Sequence, residues 1–314
     1  MKERNIYVTN QPLSEAEKAW DAALQKAGFY GEPPAEQIPV DSCLGRITAN
    51  PVYAKNSSPS YNASAMDGIA VDFITLSNAS ETTPVVLKKP DFQPVNTGNS
   101  IPQGFNAVVM IEDVHQLNAD EVELIQPATP WQHIRTIGED IVATELILPE
   151  GHLIRAIDQG AMLAAGITEV EVLRPPKAVV IPTGTELIQP GEKGKPGNII
   201  EFNSRILSGY LNEWGANAGR SLPVKDDKEQ LKAVIAAAVE ENDIVITNAG
   251  ASAGTKDFTS TVRGELGEVI VHGVAIKPGK PVILAIVDNT PVIGLPGYPV
   301  SAILTMRLFL RDMI

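Results

Sequence analysis

Apolar residues recur at helical spacing near the beginning of the chain. The segment Leu13–Ala27 predicts a helix with one apolar face, which is formed by Trp20, Ala23, Leu24 and Ala27. Ser14 and Glu17 have the spacing of a capping box, so the helix is predicted to start beside them. Gly28 supplies a helix end, because glycine readily adopts the left-handed conformation that follows a last helical turn.

The pattern changes between Ile38 and Ile147, where prolines and glycines separate short apolar segments. Such a pattern is typical of a loop-rich β region, with strands predicted at Thr83–Leu87, Ala107–Ile111 and Glu121–Ile125. Beyond it, Asp158 is predicted to cap a short helix that Gly166 ends, and Glu169–Leu173 is predicted to be a strand. Arg174-Pro175-Pro176 predicts a linker, because proline interrupts both helix and sheet.

From Lys177 onward, predicted strands and helices alternate. The strands are Ala178–Ile181 and Asp243–Thr247, and the helices are one that Asn203 caps and Gly215 closes, and Lys228–Glu240. This alternation predicts an open, largely parallel sheet with helices on both faces. Ligands bind beyond the carboxyl ends of the strands in such sheets, so the loops that follow strands are the candidate sites.

Composition narrows the functional classes. The chain has 314 residues, of which 44% are hydrophobic, and this length predicts two or three globular domains. A formal net charge of −13 argues against nucleic acid as a partner. No apolar run is long enough to span a membrane, so no membrane association is expected. Cys43 is the only cysteine, which excludes an internal disulfide and favours a cytoplasmic location.

Two loops that follow predicted strands are rich in small residues, namely 182–186 and 248–257. Small residues let backbone N–H groups approach an anion. The carboxylates of Glu186, Asp226 and Asp257 could meet at this edge of the sheet and hold Mg²⁺ against a phosphate. The alternative is that Asp257 caps one helix, Asp226 or Asp227 caps the helix at Lys228, and Glu186 is simply solvated, and the spacing leaves this open.

Two stiff turns follow. Ile276–Pro281 presents Lys277 and Lys280 on a turn that prolines rigidify, and Gly294–Pro299 leads into a helix whose first turn contains Ser301. Both are candidate anion sites, although solvated lysines and an ordinary strand-to-helix turn explain the same residues.

Three short blocks of the β region contain polar residues beside glycine. Asp67 lies in Asn62–Gly68, Thr97 in Asn96-Thr97-Gly98, and Asp140 in Gly138-Glu139-Asp140. Each is either a turn residue bonded to its own backbone or a residue displayed to a ligand. The four histidines show no metal-ligand spacing, and a single cysteine offers no support for zinc or thiol chemistry.

An ordered set of motifs resembles the molybdopterin molybdenumtransferase family, the bacterial MoeA proteins and the E domain of gephyrin. The matching segments are NASAMDGIAV at 62–71, NTGNSIPQGFNAVV at 96–109, GEDI at 138–141, TGTEL at 183–187, FNSRILSGYLNEWGA at 202–216, KDD at 225–227, AGASAGTKDFT at 249–259, KPGKP at 277–281 and GLPGYPVSA at 294–302. The set is specific because the motifs keep their order along nearly the whole chain.

The resemblance implies an α/β multidomain protein. A small split α+β domain would comprise residues 10–50 and 140–175, with a β-rich domain inserted at 51–139. Residues 176–314 would form a three-layer α/β domain similar to the molybdopterin adenylyltransferases. The family's C-terminal β-barrel domain would follow residue 314, and activity without it is expected to be impaired.

The resemblance also implies a reaction, in which molybdate or tungstate is inserted into adenylylated molybdopterin, AMP is released and Mg²⁺ is required. It assigns Glu186, Asp226 and Asp257 to the metal and, with Asp67, Thr97 and Asp140, to catalysis. The implied substrate-binding residues are Thr183, Gly184, Gly250, Ser252, Gly254, Lys277, Lys280, Pro296, Pro299 and Ser301. A homodimer is implied, with molybdopterin adenylyltransferase as the upstream partner.

Two positions depart from the family pattern. Ala249-Gly250 replaces the usual double glycine, and Tyr298 replaces the usual asparagine. Two other functions remain open from the sequence: adenylyl transfer to molybdopterin, and a non-enzymatic scaffold role like that of the gephyrin E domain.

Overall fold

The computed structural model describes residues 10–225, 227–249 and 266–314. The chain divides into two compact units, one comprising Met1–Pro33 with Arg174–Ile314 and the other Pro34–Leu173. The chain passes from one unit to the other at Pro33–Pro34 and again at Leu173–Arg174. The later boundary falls at the Arg174-Pro175-Pro176 segment that the sequence predicts to be a linker.

Regular elements occur throughout the described residues. The helices are α1 (Leu13–Lys26), α2 (Ala156–Ala164), α3 (Asn203–Trp214), α4 (Lys228–Glu241) and α5 (Pro299–Phe309). The strands are β1 (Ala35–Pro39), β2 (Val52–Tyr53), β3 (Ala63–Ser64), β4 (Gly68–Val71), β5 (Val85–Lys88), β6 (Phe92–Val95), β7 (Ala107–Met110), β8 (His115–Gln116), β9 (Glu121–Leu124), β10 (Ile134–Arg135), β11 (Leu146–Leu148), β12 (Glu169–Leu173), β13 (Lys177–Thr183), β14 (Leu187–Ile188), β15 (Ile199–Ile200), β16 (Asn217–Arg220), β17 (Ile244–Ala249), β18 (Glu268–His272), β19 (Ile283–Val287) and β20 (Thr290–Pro296).

The unit formed by Met1–Pro33 and Arg174–Ile314 is built on a six-stranded sheet of order β16-β13-β17-β20-β19-β18. The first four strands are parallel, and β19 and β18 complete the sheet as antiparallel strands. Helix α3 lies between β13 and β16 along the chain, and α4 lies between β16 and β17, as the alternation in the sequence predicts. The predicted α/β fold class is confirmed.

Helices cover both faces of this sheet. Trp20 of α1, Leu211 of α3 and Met306 of α5 belong to one apolar cluster, whereas Ile235 of α4 belongs to the cluster on the other face. Alternate residues of β13 serve the two clusters, because Val180 joins the first and Ile181 the second. The Trp20 indole N–H also donates to the Phe309 carbonyl oxygen at 3.2 Å, which ties α1 to α5. Helix α1 is thus part of the α/β unit, although the predicted split domain began at residue 10.

The starts of three helices differ from the predicted caps. Helix α1 begins after Pro12 with no side-chain cap, so the capping box at Ser14 and Glu17 is wrong. At α2 the cap position is Arg155, and Asp158 lies in the first turn, where its carboxylate accepts from the Arg155 backbone N–H at 2.8 Å. Asn203 is already inside α3, and its side chain is used elsewhere. Proximity in sequence does not reveal which of several polar residues faces the orphan N–H groups.

The unit Pro34–Leu173 contains small antiparallel sheets and helix α2. Strand β4 pairs with β6 and β7, strand β9 pairs with β5 and β8, and β1 pairs with β12. Its buried apolar residues form separate clusters: two draw on residues 69–134, and the third draws on residues 38–54 and 141–172. Among the described residues, no helix has the length and apolar character needed to cross a membrane.

Candidate functional site

The carboxyl ends of three parallel strands lie side by side in the α/β unit. Thr183 at the end of β13 is paired with Ala249 of β17, and Ala249 is paired in turn with Pro296 of β20. The loops that the sequence singled out as anion sites therefore leave one edge of one sheet. That edge is where ligands bind in open α/β folds.

The β13 end holds Thr183, Gly184 and Glu186 in a tight bend. Thr183 is buried, and its hydroxyl donates to the Asn248 carbonyl oxygen at 3.4 Å. Gly184 has a φ of 152°, and a Cβ at this position would lie 2.9 Å from Oε2 of Glu186. The absence of a side chain at Gly184 thus lets the half-buried Glu186 carboxylate fold back over the strand end.

The lysine turn lies at the same edge. Strand β19 begins at Ile283, which is paired with Gly294 near the end of β20, so the turn that precedes β19 adjoins the strand ends. Lys277 and Lys280 are both exposed. Gly279 between them has a φ of 112°, and a Cβ there would come within 2.7 Å of Oγ1 of Thr305 on α5. The turn is therefore seated directly on that helix.

Helix α5 starts next to the end of β20. Pro296 is buried, Pro299 is the first helical residue, and Ser301 lies in the first turn with only 9% of its surface exposed. Tyr298 is 78% exposed and makes no capping hydrogen bond. Three side-chain donors of the predicted anion site are thus distributed over one turn, with Lys277 and Lys280, and one helix start, with Ser301.

An open groove of about 380 Å³ adjoins the lysine turn. Its lining combines an apolar floor with three cationic side chains: Ile276, Lys277, Pro278, Leu304, Arg307, Leu308 and Arg311. Lys277, Arg307 and Arg311 form no ion pair with any residue of the described ranges.

Five of the predicted site residues lie outside the described residues, namely Asp226, Gly250, Ser252, Gly254 and Asp257. Of the predicted metal ligands, the structure therefore places Glu186 alone. Within the described ranges, no group of three or more histidine, cysteine or acidic side chains is arranged to hold a metal. The donor chemistry nevertheless fits Mg²⁺, because the three predicted ligands are all carboxylates.

In the unit Pro34–Leu173, Asp67 and Thr97 are in direct contact. The Asp67 carboxylate accepts from the Thr97 backbone N–H at 2.7 Å and from the Thr97 hydroxyl at 3.0 Å. These two hydrogen bonds, the backbone one first, hold the pKa of Asp67 below its usual value. Gly68 next to it is required by packing, since a Cβ there would lie 1.9 Å from the Val109 carbonyl oxygen. The result is an ionised carboxylate on a rigid strand start.

The three predicted blocks of this unit meet around β3. Strand β3 pairs with β10, and the Ser64 carbonyl oxygen accepts from the backbone N–H of Gly98 in the Thr97 block at 2.8 Å. Asp140 of the third block forms an ion pair with Arg135 of β10, which Glu139 also contacts at 3.3 Å. The structure thus brings Asp67 and Thr97 together and anchors Asp140 to the same group of strands.

Sequence reasoning missed two asparagines at the edge of the α/β sheet. Asn203 donates through Nδ2 to Oδ1 of Asn248 at 3.0 Å and to the Gly297 carbonyl oxygen at 2.6 Å. Asn248 donates to the Pro296 carbonyl oxygen at 2.7 Å. The available signal was the polar pair Thr247-Asn248 after three apolar residues of β17, because a buried amide needs partners. Arg135, which pairs with Glu139 and Asp140, was missed as well, because nothing in its local sequence indicates that it contacts these residues.

Comparison with known proteins identifies the family. Residues 12–166 match the MoeA N-terminal region (domain I and II), and residues 179–314 match the family described as a probable molybdopterin binding domain. A putative molybdopterin biosynthesis protein of Methanocaldococcus jannaschii is 34% identical over 96% of this chain and 79% of its own length. Molybdopterin molybdenumtransferase 2 of Mycobacterium tuberculosis is 33% identical over 87% of this chain and 73% of its own length.

A solved structure agrees with these relatives. The crystal structure of the molybdopterin biosynthesis MoeA protein from Pyrococcus horikoshii superposes with a TM-score of 0.80 at 34% identity, covering 97% of this chain and 80% of that one. The chain belongs to the MoeA family of molybdopterin molybdenumtransferases. Its predicted family, its role in molybdenum cofactor biosynthesis and its enzymatic nature are confirmed.

Proposed function

We propose that this MoeA-family enzyme inserts molybdate, or tungstate, into adenylylated molybdopterin and releases AMP. The observation that carries the proposal is the alignment of the ends of β13, β17 and β20 at one sheet edge, beside the lysine turn. The segments that follow these strand ends carry most of the predicted site residues, including those outside the described ranges.

The parts of this edge suit the parts of the substrates. Backbone N–H groups at the small-residue loops are suited to phosphate oxygens. The exposed Lys277 and Lys280 are suited to a tetrahedral dianion such as molybdate, and Ser301 lies at a helix start whose dipole favours negative charge. Water exclusion by the bound pterin would strengthen each of these interactions.

Mg²⁺ is included in the proposal as the required cation. Glu186, Asp226 and Asp257 would hold it, and bound Mg²⁺ would neutralise charge that develops on the phosphoanhydride. The bend at Gly184, which lets the Glu186 carboxylate fold back over the strand end, supports this assignment. On the β-rich unit, Asp67 is ionised and exposed, so it is available to a substrate or a second subunit. We assign the protein to the cytoplasm as a homodimer, with the adenylyltransferase that makes its substrate as upstream partner.

The test is AMP release from adenylylated molybdopterin in the presence of molybdate and Mg²⁺. Glu186→Gln keeps the size of the side chain and removes its charge, so we expect a drop of about tenfold or more, equivalent to about 1.4 kcal/mol of barrier. Chelation by EDTA should abolish AMP release, and added Mg²⁺ should restore it.

Glu213→Gln is the matched control, because Glu213 is an exposed glutamate on α3 at the opposite end of that helix from Asn203. Its AMP release should equal that of the wild type. Unchanged turnover in Glu186→Gln would remove Glu186 from the site, and absence of AMP release by the wild type would contradict the proposed reaction. Formation of adenylylated molybdopterin from ATP would instead favour the adenylyltransferase alternative.

A further inference from the structure

The side chains of Asn203 and Asn248 form an amide pair at the carboxyl edge of the α/β sheet. Both hydrogens of Nδ2 of Asn203 are used, one on Oδ1 of Asn248 at 3.0 Å and one on the Gly297 carbonyl oxygen at 2.6 Å. Nδ2 of Asn248 donates to the Pro296 carbonyl oxygen at 2.7 Å. Three hydrogen bonds therefore connect the first residue of α3, the end of β17, and Pro296 and Gly297 at and directly after the end of β20.

The start of α3 is itself held rigidly, which fixes where Asn203 points. Glu201 is only 3% exposed, and its carboxylate accepts from the backbone N–H and the hydroxyl of Ser204, each at 2.7 Å. Arg205 donates to Oε2 of Glu201 at 2.6 Å and to the Glu201 carbonyl oxygen at 2.9 Å. A buried, charge-assisted network of this kind is stiff, because each lost bond would leave a buried polar group unsatisfied.

The pair does not satisfy all of its own polar atoms. Oδ1 of Asn203 is buried and has no hydrogen-bond partner within the described residues. A buried acceptor without a partner costs roughly 1–3 kcal/mol, whereas an apolar side chain at this position would leave Oδ1 of Asn248 and the Gly297 carbonyl oxygen without the donors that they have here. Asparagine at position 203 is explained by the need for one short side chain that donates two hydrogen bonds, one to Asn248 and one to Gly297.

The segments joined by the pair are the ones that carry the substrate-binding residues. Asn248 is the second-last residue of β17 and precedes the loop with Gly250, Ser252 and Gly254, and Gly297 precedes Pro299 and Ser301. Resting on the proposed function, we infer that Asn203 and Asn248 are positioning residues for molybdate insertion. They hold the end of β17 at a constant separation from the helix start at Ser301.

A positioning role predicts a larger effect on kcat than on KM. The phosphate end of the pterin and the oxyanion are bound by different loops, so their relative placement depends on the spacing of β17 and β20. Loss of the pair would let the ends of β17 and β20 move independently, and a displacement of about 1 Å at a reacting centre can cost about 100-fold in rate. A weakened pair should therefore reduce kcat for molybdate insertion more than it raises KM for either substrate.

The experiment compares Asn203→Ala, Asn248→Ala and the double variant with wild type, measuring kcat and KM for molybdate-dependent AMP release. Asn203→Ala should lower kcat about ten- to hundred-fold, and the double variant should be no slower than the slower single variant, because the two residues act as one unit. Asn203→Asp keeps the shape but cannot donate, so it should lose activity like Asn203→Ala.

Asn212→Ala is the control for a purely structural effect. Asn212 lies on the same helix and also joins it to a strand, since its amide exchanges hydrogen bonds with the Ala218 backbone at 2.8 and 3.3 Å. Ala218 lies toward the opposite end of the sheet, so this variant should lose stability without losing kcat. Thermal unfolding of every variant is measured, and if the alanine variants do not fold, Asn203→Ser and Asn248→Ser replace them.

Equal kcat for wild type and folded Asn203 variants would overturn the inference, as would a kcat loss in Asn212→Ala of the same size. Additive losses in the double variant would also overturn it. These outcomes are distinct from failure of the proposed function, in which the wild type itself would release no AMP.

Discussion

At the scale of single residues, the Asp67–Thr97 contact determines the charge state of an exposed acid. Thr97→Val removes the hydroxyl donor but keeps the backbone N–H, which is the larger cause of the lowered pKa. We therefore expect the pKa of Asp67 to rise part of the way to its ordinary value, as measured by NMR titration of the side-chain carboxyl. A value unchanged from wild type would show that the hydroxyl does not stabilise the carboxylate.

Gly279 is a second residue whose effect can be measured. Gly279→Ala would put a Cβ 2.7 Å from Oγ1 of Thr305 and force an alanine into a φ of 112°. Both effects are unfavourable, so we expect a loss of about 1–3 kcal/mol in the free energy of unfolding. The lysine turn should also shift, and weaker molybdate binding by calorimetry would report this. Gly191→Ala, at a positive φ with nothing within 4 Å, controls for backbone strain alone.

At the scale of elements, the start of α2 depends on one buried carboxylate. Asp158 accepts from Arg155 and from Nε2 of His152, and the Arg155 guanidinium above all holds the pKa of Asp158 well below its usual range. A carboxyl with a depressed native pKa stabilises the fold above its unfolded pKa, near 4, and loses that contribution as the pH falls below it.

Asp158→Asn should accordingly destabilise the protein at pH 7 by about 1.5–3 kcal/mol, and the difference from wild type should narrow below about pH 4. Urea unfolding of wild type and Asp158→Asn across pH 3–7 measures this difference in the free energy of unfolding. Glu150→Gln, which alters an exposed carboxylate in the same unit, should show no such convergence. A gap between wild type and Asp158→Asn that is constant with pH would contradict the electrostatic explanation.

At the scale of the whole molecule, charge is distributed unevenly. Most of the acidic excess behind the net charge of −13 lies within Pro34–Leu173, whereas the groove of the α/β unit exposes Lys277, Arg307 and Arg311. The predicted site residues are likewise divided between the two units. Pairing of one copy's acidic unit with the α/β unit of another would bring opposite charges and complementary site residues together.

We expect a homodimer at micromolar concentration by sedimentation velocity. Opposite charges across its contact should make it dissociate more readily at 0.5 M than at 0.05 M salt, because the Debye length shortens. Arg307→Glu should weaken the dimer further, with Lys26→Glu on α1 as an exposed control. A salt-independent monomer that retains activity would contradict this arrangement.

The sequence by itself determined the local pattern of this protein. Strand Glu169–Leu173 was predicted with its observed bounds, the helix predicted at Lys228–Glu240 ends one residue later, and the end of α3 at Gly215 was correct. Asp227 was one of two candidate caps, and it does accept from the Gln230 N–H. These features depend on periodicity and on backbone preferences, which act over a few neighbouring residues.

The tertiary structure alone decided which distant residues meet. Asn203 had the sequence context of a cap, yet its amide bonds residues 45 and 94 positions away. Helix α1 could not be assigned to the α/β unit from its own pattern, because an apolar face specifies that a partner exists and not which partner it is. The alignment of Thr183, Ala249 and Pro296 follows from strand order and register, which are set by packing across the whole sheet.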